Sequence, residues 1–494
     1  MSRELEKLKT TMAVIENINI PYPTEGVIRS AQLSDNICPE NSVQLAINMN
    51  FDRIGSMTTR NGVATYATTL SGSVTAFGAL NIQGGNKRLF AQVGKDVSVW
   101  NGTTWTSVQT ATVTTKARFS QFLNRVWMVN GNAGDTPETS GGGAFDTTDV
   151  PATFPAGDFI EAGYGGRVWI ADSSLDILYY TDIVQSTTGT SYVSPLTFDI
   201  TANFIAKFSP QDGESITGLF RVPRALLLFK QNHIYRVYST TNVDPYPAYN
   251  VGTYSQESIV QGKNGIYFHH SSGFYKFTYD NQPTEISRRV IDFVKAIPRA
   301  NYDDVVGVYD GYDAIKWSVG AVTVGDVTYS NCQMRYSMST QVWTIYDFAD
   351  TSITALIIYD DGTTIEQLAG TSTGLVGNLD SGNTDFGESI YFEMIDRWRS
   401  FTDMYSHTKT AGGIAIMSKN AGGTLVQYQT QKEQVNKWKD IDTIKGDYAT
   451  LFPNALTKDF NIVRLRINGN SSGTPILFNG IELLRLNDVG FEEN

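Results

Sequence analysis

Cysteine is nearly missing from these 494 residues: it occurs only at Cys38 and Cys332. The two lie far apart, with no CxxC pair and no neighbouring histidine pair, which excludes a disulfide scaffold and a Cys-type zinc site. Histidine is almost as scarce, at His233, His269, His270 and His407. The adjacent pair, read on a strand, points to opposite faces and cannot chelate one ion together. No run of about 18 apolar residues occurs, so no membrane-spanning helix is expected. Positive charge is in deficit, with 38 Lys+Arg against 50 Asp+Glu and a formal net charge of -12. Tight nucleic-acid binding needs a clustered positive surface, and this composition opposes it. Met1 to Lys9 mixes both charges around no apolar core, so it does not read as a signal peptide. A reducing cytoplasm is the expected folding compartment, and the sequons at Asn101 and Asn470 are read as chance matches. Helical periodicity is also scarce, confined to an opening turn at Ser2 to Lys9 and to Asp292 to Arg299 and Gln431 to Asp440.

What the chain has instead is 44 glycines, 25 tyrosines and 25 phenylalanines. From about residue 63 they are set in runs of four to eight β-branched and aromatic residues punctuated by Gly, Asn, Asp and Ser, an all-β texture. A degenerate repeat underlies it. Arg125-Val-Trp127 and Arg167-Val-Trp169 match, and the rhythm extends to Arg88-Leu-Phe90, Arg224 to Phe229, Gly265 to Phe268 and Ala314 to Trp317. Spacings of roughly 40–50 residues, each strand followed by a second, fit four-stranded propeller blades. The longest step holds an insertion at Gln185 to Thr197. The reading is all-β: a roughly six-bladed β-propeller over 63–385, preceded by an extended arm over 1–62. An antiparallel β-sandwich platform over 386–494, completed by strands from that arm, follows. A sandwich with similar turn spacing is the competing fold.

Motifs with catalytic content are weak. Gly370-Thr-Ser372-Thr-Gly374 has the letters of a nucleophile elbow, but Leu375 to Leu379 reads as a returning strand where a helix is required. Gly262-Lys-Asn264 lacks the hydroxyl residue and upstream glycine of a phosphate loop. The oxygen-rich segment Asp380 to Glu388 breaks EF-hand spacing. Ser418-Lys-Asn420-Ala-Gly422-Gly-Thr424-Leu425 has the form of an Asp-box turn, a fold device. Asp303, Asp304, Asp310, Asp360 and Asp361 are the carboxylates available for glycoside hydrolysis at a central funnel, where a retaining pair must stand about 5–5.5 Å apart.

The arm Asn48-Met-Asn-Phe-Asp-Arg53-Ile-Gly-Ser-Met-Thr-Thr-Arg60-Asn-Gly62 resembles the entry signature of the tail nozzle, or tail hub, proteins of short-tailed bacteriophages. The segments Gln367 to Gly370, Gly374 to Asp380 and Asp385 to Glu393 resemble that family's last blade hairpin and its passage into the platform. Gly473 to Glu482 resembles the platform's closing strands. The resemblance covers most of the chain in order and rhythm, through short motifs. It implies a structural, non-enzymatic virion protein with no cofactor, made in the host bacterial cytoplasm. The implied assembly is a hexameric ring below portal and adaptor proteins, with tail fibres or receptor-binding proteins at its side. Double-stranded DNA would pass through the lumen without specific binding, and acidic walls would suit that passage. Under this reading, mobile lumen or gate loops are expected at Ser140, Gly141, Gly142 and Gly143 and at Gln185 to Tyr192, including Thr188, because neither stretch has an apolar face to dock. The alternatives are a glycan-binding tail protein and a propeller glycoside hydrolase.

Overall fold

The structure, a computed structural model, describes residues 13–15, 17–29, 39–53, 56–82, 85, 87–132, 135–183, 196–206, 208, 213–245, 251–278, 282–400, 408–430, 437–471 and 473–490. The chain divides into two units. One comprises Met1–Gly62, Arg335–Asp347 and Gly382–Asn494; the other comprises Val63–Met334 and Phe348–Ser381.

The second unit is a β-propeller in which seven sheets can be traced among the described residues. Their second strands include Lys87–Val93, Arg125–Val129, Val168–Asp172, Ala225–Lys230, Gly265–His270 and Ala314–Val324. These six carry the sequence repeat. The count of about six becomes seven because the last blade's second strand, Ile365–Thr371, lacks the repeat's letters. That blade is also composite. Its outermost strand is Val63–Ala67, paired antiparallel with Val376–Leu379, so the first strand of the unit closes the last sheet.

Second strands are apolar on both sides: Ala-Leu-Leu-Leu-Phe-Lys at 225–230 is buried throughout. Each sheet is covered by a neighbouring blade on either face, which removes the polar alternation of a one-sided strand. The core therefore lies between blades. One cluster joins the third and fourth blades through Trp169, Leu178, Leu219 and Leu228, and another joins the seventh to the first through Val74, Leu89, Ala355 and Leu368. The arginine that recurs at the hairpin is structural. Arg125 reaches Asp146 at 2.8 Å and Asp149 at 2.5 Å, while Arg167 stacks over Tyr180 at 5.1 Å.

The first unit contains two facing sheets drawn from both ends of the chain. In one, Leu477–Gly490 pairs with Thr408–Lys419, Ser56–Thr59, Ala13–Ile15 and Ile18–Asn19. In the other, Ser42–Ile47 lies between Trp343–Asp347 and Ile390–Asp396, followed by Val463–Ser471, Leu425–Thr430 and Lys439–Thr443. Phe392 and Phe478 meet across them with ring centroids 6.2 Å apart. The platform is not purely antiparallel, since Ser42–Ile47 runs parallel to both Trp343–Asp347 and Gly26–Val27. The chain also enters this unit a third time, over 335–347, an excursion that no composition shift marks.

Of the helical expectations, Ile291–Ala296 forms a short helix. Lys439–Thr443 is a strand, so the described end of the second candidate is extended. Ser2 to Lys9 lies outside the described residues. Among the described residues, no helix is long and apolar enough to cross a membrane.

Candidate functional site along the propeller axis

The first strands of successive blades stand side by side from Val74–Asn81 round to Ile353–Asp360, and the last packs against the first. The cavity they enclose, about 360 Å³, is lined from all seven blades, by Phe77, Phe119, Glu161, Phe220, Val306 and Ile357 among others. A second cavity of about 480 Å³ shares Thr75 and Lys116 with it and opens among Ser73, Asn301, Asp304, Asn331 and Thr354. Thr75 and Lys116 line both; the first cavity, called the inner end below, carries the phenylalanines, and the second, called the mouth, is lined mainly by Ser, Thr and Asn.

Four charged side chains face the inner end. Glu257, on the 3-10 turn Gln256–Ser258, receives Lys116 Nζ at 3.5 Å and Arg118 Nε at 3.4 Å. Arg118 also donates to the Asp158 carbonyl at 3.0 Å and lies over the Phe159 ring at 4.3 Å. Burial alone would raise the Glu257 carboxyl, but the two cations more than reverse this and hold it at about 2. Glu161, on Phe159–Ala162, has weaker compensation: Arg221 Nε stands 3.9 Å away and Ser120 Oγ donates at 3.3 Å. Burial therefore prevails and raises its carboxyl to about 7. Two glutamates in one cavity thus titrate far apart, Glu257 fully charged near neutrality and Glu161 only partly so, a pattern found at functional pockets.

The two carboxyls have opposite effects on stability. An acid raised in the fold is deprotonated more readily when unfolded, so Glu161 lowers stability as pH rises from about 4.5 to about 7. Glu257, held low, contributes stability that is lost as pH falls from about 4.5 toward 2. Glu161→Gln is expected to raise the unfolding free energy at pH 8 by about 1–3 kcal/mol and to change it little at pH 4. Urea denaturation at the two pH values checks this.

The residues singled out from sequence mostly serve the fold. Asp310 Oδ1 accepts from the backbone N–H groups of Tyr312, Asp313 and Ala314, and Asp361 Oδ1 from those of Thr363 and Thr364. Asp360 is paired with Lys87. Only Asp304 of that set lines the mouth, and its neighbour Asp303 is raised by burial and by Asp304. In the segment 380–388, Asp380 pairs with Lys316 and Asp385 with Arg60, so its acids neutralise buried cations. Among the described residues, no three His, Cys, Asp or Glu side chains gather as metal ligands.

His269 is fully buried against Phe274 and Tyr302, and burial followed by the His270 charge lowers it to about 3. His270 faces Ser272 and Asn232 instead. Ser140 Oγ donates to the Gly143 carbonyl at 2.7 Å and accepts from Gly142 N–H at 3.0 Å, so Ser140 to Gly143 is a closed turn. Gly141 lies within it. Gln185 and Thr188 lie outside the described residues. Asn420 has φ 60°, its N–H is capped by Asp447, and its turn joins strands of different sheets, so it is a corner and not a hairpin.

Gly370 to Gly374 is a strand–turn–strand hairpin, closed by Thr371 N–H to the Leu375 carbonyl at 3.0 Å. Gly374 has φ +85°, and a Cβ there would stand 2.1 Å from the Leu70 carbonyl oxygen. Gly374→Ala is expected to cost about 1–3 kcal/mol through backbone strain, and more if Leu70 cannot move. Ser372→Ala should fall within about 0.5 kcal/mol of the parent, because Ser372 is exposed. Chemical denaturation of both variants distinguishes a turn from a nucleophile.

Glu161, Glu257, Lys116 and Arg118 were missed by the sequence reading. The available signal was positional: Arg118 and Glu161 precede the repeat arginines Arg125 and Arg167 by seven and six residues, on the strand that faces the axis.

No family model and no curated protein sequence matches the chain. Solved propellers are similar to it in fold. YCF48 bound to a D1 peptide shares 10% identity over 68% of this chain and 99% of its own, with a TM-score of 0.39. The virginiamycin B lyase of Staphylococcus aureus shares 12% over 66% and 98%, with a TM-score of 0.43. The WD40 propeller domain of Doa1 shares 10% over 64% and 96%, with a TM-score of 0.35. Such likeness concerns fold alone and says nothing of activity or partners.

Proposed function

We propose that this protein is a structural component of a bacteriophage tail, a nozzle or hub that assembles as a hexameric ring below the portal and adaptor. In this role it retains the packaged genome and provides the channel for its ejection. The observation that carries the reading is the interleaving of chain ends. Strands Ala13–Ile15, Ile18–Asn19 and Ser56–Thr59 pair with the closing strand Leu477–Gly490, and Ser42–Ile47 lies beside Ile390–Asp396. The propeller is inserted between these ends, the order of arm, propeller and platform that the nozzle resemblance implies. The net charge of -12 supports it as well, since an acidic lumen lets DNA slide without adhering.

On this reading the protein is made in the host cytoplasm, resides in the virion, carries fibres or receptor-binding proteins at its side and performs no catalysis. Negative-stain imaging and analytical ultracentrifugation of the purified protein test it. Six-fold rings are expected; a protein that stays monomeric at high concentration and in tail extracts overturns the reading.

A further inference from the structure

We propose that the axial cavity of the propeller binds a small sugar acid, with its carboxylate at Lys116 and Arg118 and its hydroxyls in the polar mouth. Three observations carry this beyond a tail-assembly role. The first is size: the two cavities of about 360 and 480 Å³, both lined by Thr75 and Lys116, each fall in the range that holds a small ligand.

The second is charge. Lys116 and Arg118 share one carboxylate, that of Glu257, at 3.5 and 3.4 Å. The buried Nε of Arg118 meets Glu257 only as a 3.4 Å ion pair without hydrogen-bond geometry, and an ammonium has three donors to offer. The inner end therefore has donor capacity to spare for an anion. Glu161 reinforces this rather than opposing it: with its carboxyl raised to about 7 it is largely protonated just below neutrality and can donate. The charged groups around Glu161 are Arg221 at 3.9 Å, with Lys116, Arg118 and Glu257 lining the same cavity.

The third is the division of the walls. Phe77, Phe119 and Phe220 offer flat apolar faces inside, suited to the C–H face of a pyranose ring. Asn301 and Asp304, with the hydroxyls of Ser73 and Ser352, line the mouth with the kinds of donor and acceptor that ring hydroxyls require. Inorganic phosphate would use only the cations, and a neutral sugar only the mouth.

Calorimetric titration of the full chain with glucuronate, glucose and inorganic phosphate tests the proposal, at pH 6 and pH 8. Glucuronate is expected to bind about tenfold more tightly than either glucose or phosphate, the increment of one charge-assisted contact. Lys116→Gln should remove that margin. Binding should weaken severalfold from pH 6 to pH 8 as Glu161 ionises, and Glu161→Gln should abolish this pH dependence. Equal binding of glucose, equal binding of phosphate, or no heat from glucuronate at millimolar concentration each overturns the proposal. The comparison of ligands on the unmodified protein stands even if Lys116→Gln fails to fold. Ring assembly is a separate readout, so failure of one reading leaves the other intact.

Discussion

Asp385→Ala is expected to destabilise the first unit by about 3–5 kcal/mol, because it strands a buried guanidinium. The Arg60 side chain is 1% exposed and that of Asp385 9%. The pair is bidentate, with Arg60 Nη1 donating to Oδ1 at 2.8 Å and Nη2 to Oδ2 at 2.5 Å. Arg60 Nε donates to Asn48 Oδ1 at 2.8 Å, and its guanidinium lies 5.5 Å from the centre of the Tyr346 ring. Asn48 in turn donates to the carbonyls of Asp347 and Tyr391. One cation thus ties the arm to both later segments of the unit. Removing the carboxylate leaves its charge without solvent or counter-ion, whereas replacing both partners removes the desolvation cost too. Arg60→Met combined with Asp385→Leu should therefore recover most of the loss. Urea denaturation followed by tryptophan fluorescence, with Trp343 and Trp398 as reporters in this unit, measures both. Equal destabilisation by the single and double changes would show that hydrogen bonds from Arg60 to Asn48, rather than charge pairing, hold the arm.

That pair also shows where sequence reading stops. Arg60 and Asp385 are 325 residues apart, and neither letter looks unusual beside its neighbours. The all-β class and the blade rhythm were legible because each blade must repeat the same alternation of apolar strand and turn. Six second strands were visible through their shared letters. The seventh, Ile365–Thr371, was not, because it lacks the shared letters, and its blade is closed by Val63–Ala67, which pairs with Val376–Leu379 from the far end of the unit. The excursion over 335–347 was hidden for a similar reason: Trp343–Asp347 reads as one more apolar strand, and only pairing with Ser42–Ile47 assigns it to the other unit.

At the candidate site the acids clustered in sequence, such as Asp360-Asp361, cap turns, since adjacent acids at loop tips suit backbone N–H groups. The carboxyls with unusual environments, Glu161 and Glu257, are single letters 96 positions apart that the ring brings into one cavity. Spacing along the chain cannot show that convergence, whereas the placement of each on the axis-facing side of its blade can.

A cost of about 3–5 kcal/mol is likewise expected for Trp169→Ala, and here the argument concerns the ring as a whole. Trp169 is 1% exposed in the cluster shared by the third and fourth blades. Its ring meets Tyr180 at 5.1 Å and Tyr164 at 6.2 Å, and its Nε1 donates to the Tyr164 carbonyl at 2.9 Å. Truncation removes the largest side chain of that interface and opens a cavity that surrounding strands, fixed by ladders on both sides, cannot collapse into. Trp169→Phe keeps most of the apolar volume but loses the indole N–H, leaving the Tyr164 carbonyl without that bond, and should cost about 1–2 kcal/mol. Each blade of a closed ring is bounded by two such interfaces, and the seventh is latched to the start of the unit by Val63–Ala67. Opening one interface therefore weakens support for every other, so the propeller should lose its structure in one transition with a lowered midpoint rather than shed a single blade. Hydrogen exchange on Trp169→Ala reads this directly: strands of the first blade, such as Lys87–Val93, should lose protection along with Val168–Asp172. Loss confined to the third and fourth blades would mean that the blades behave as independent repeats, and the ring closure would then contribute little to stability.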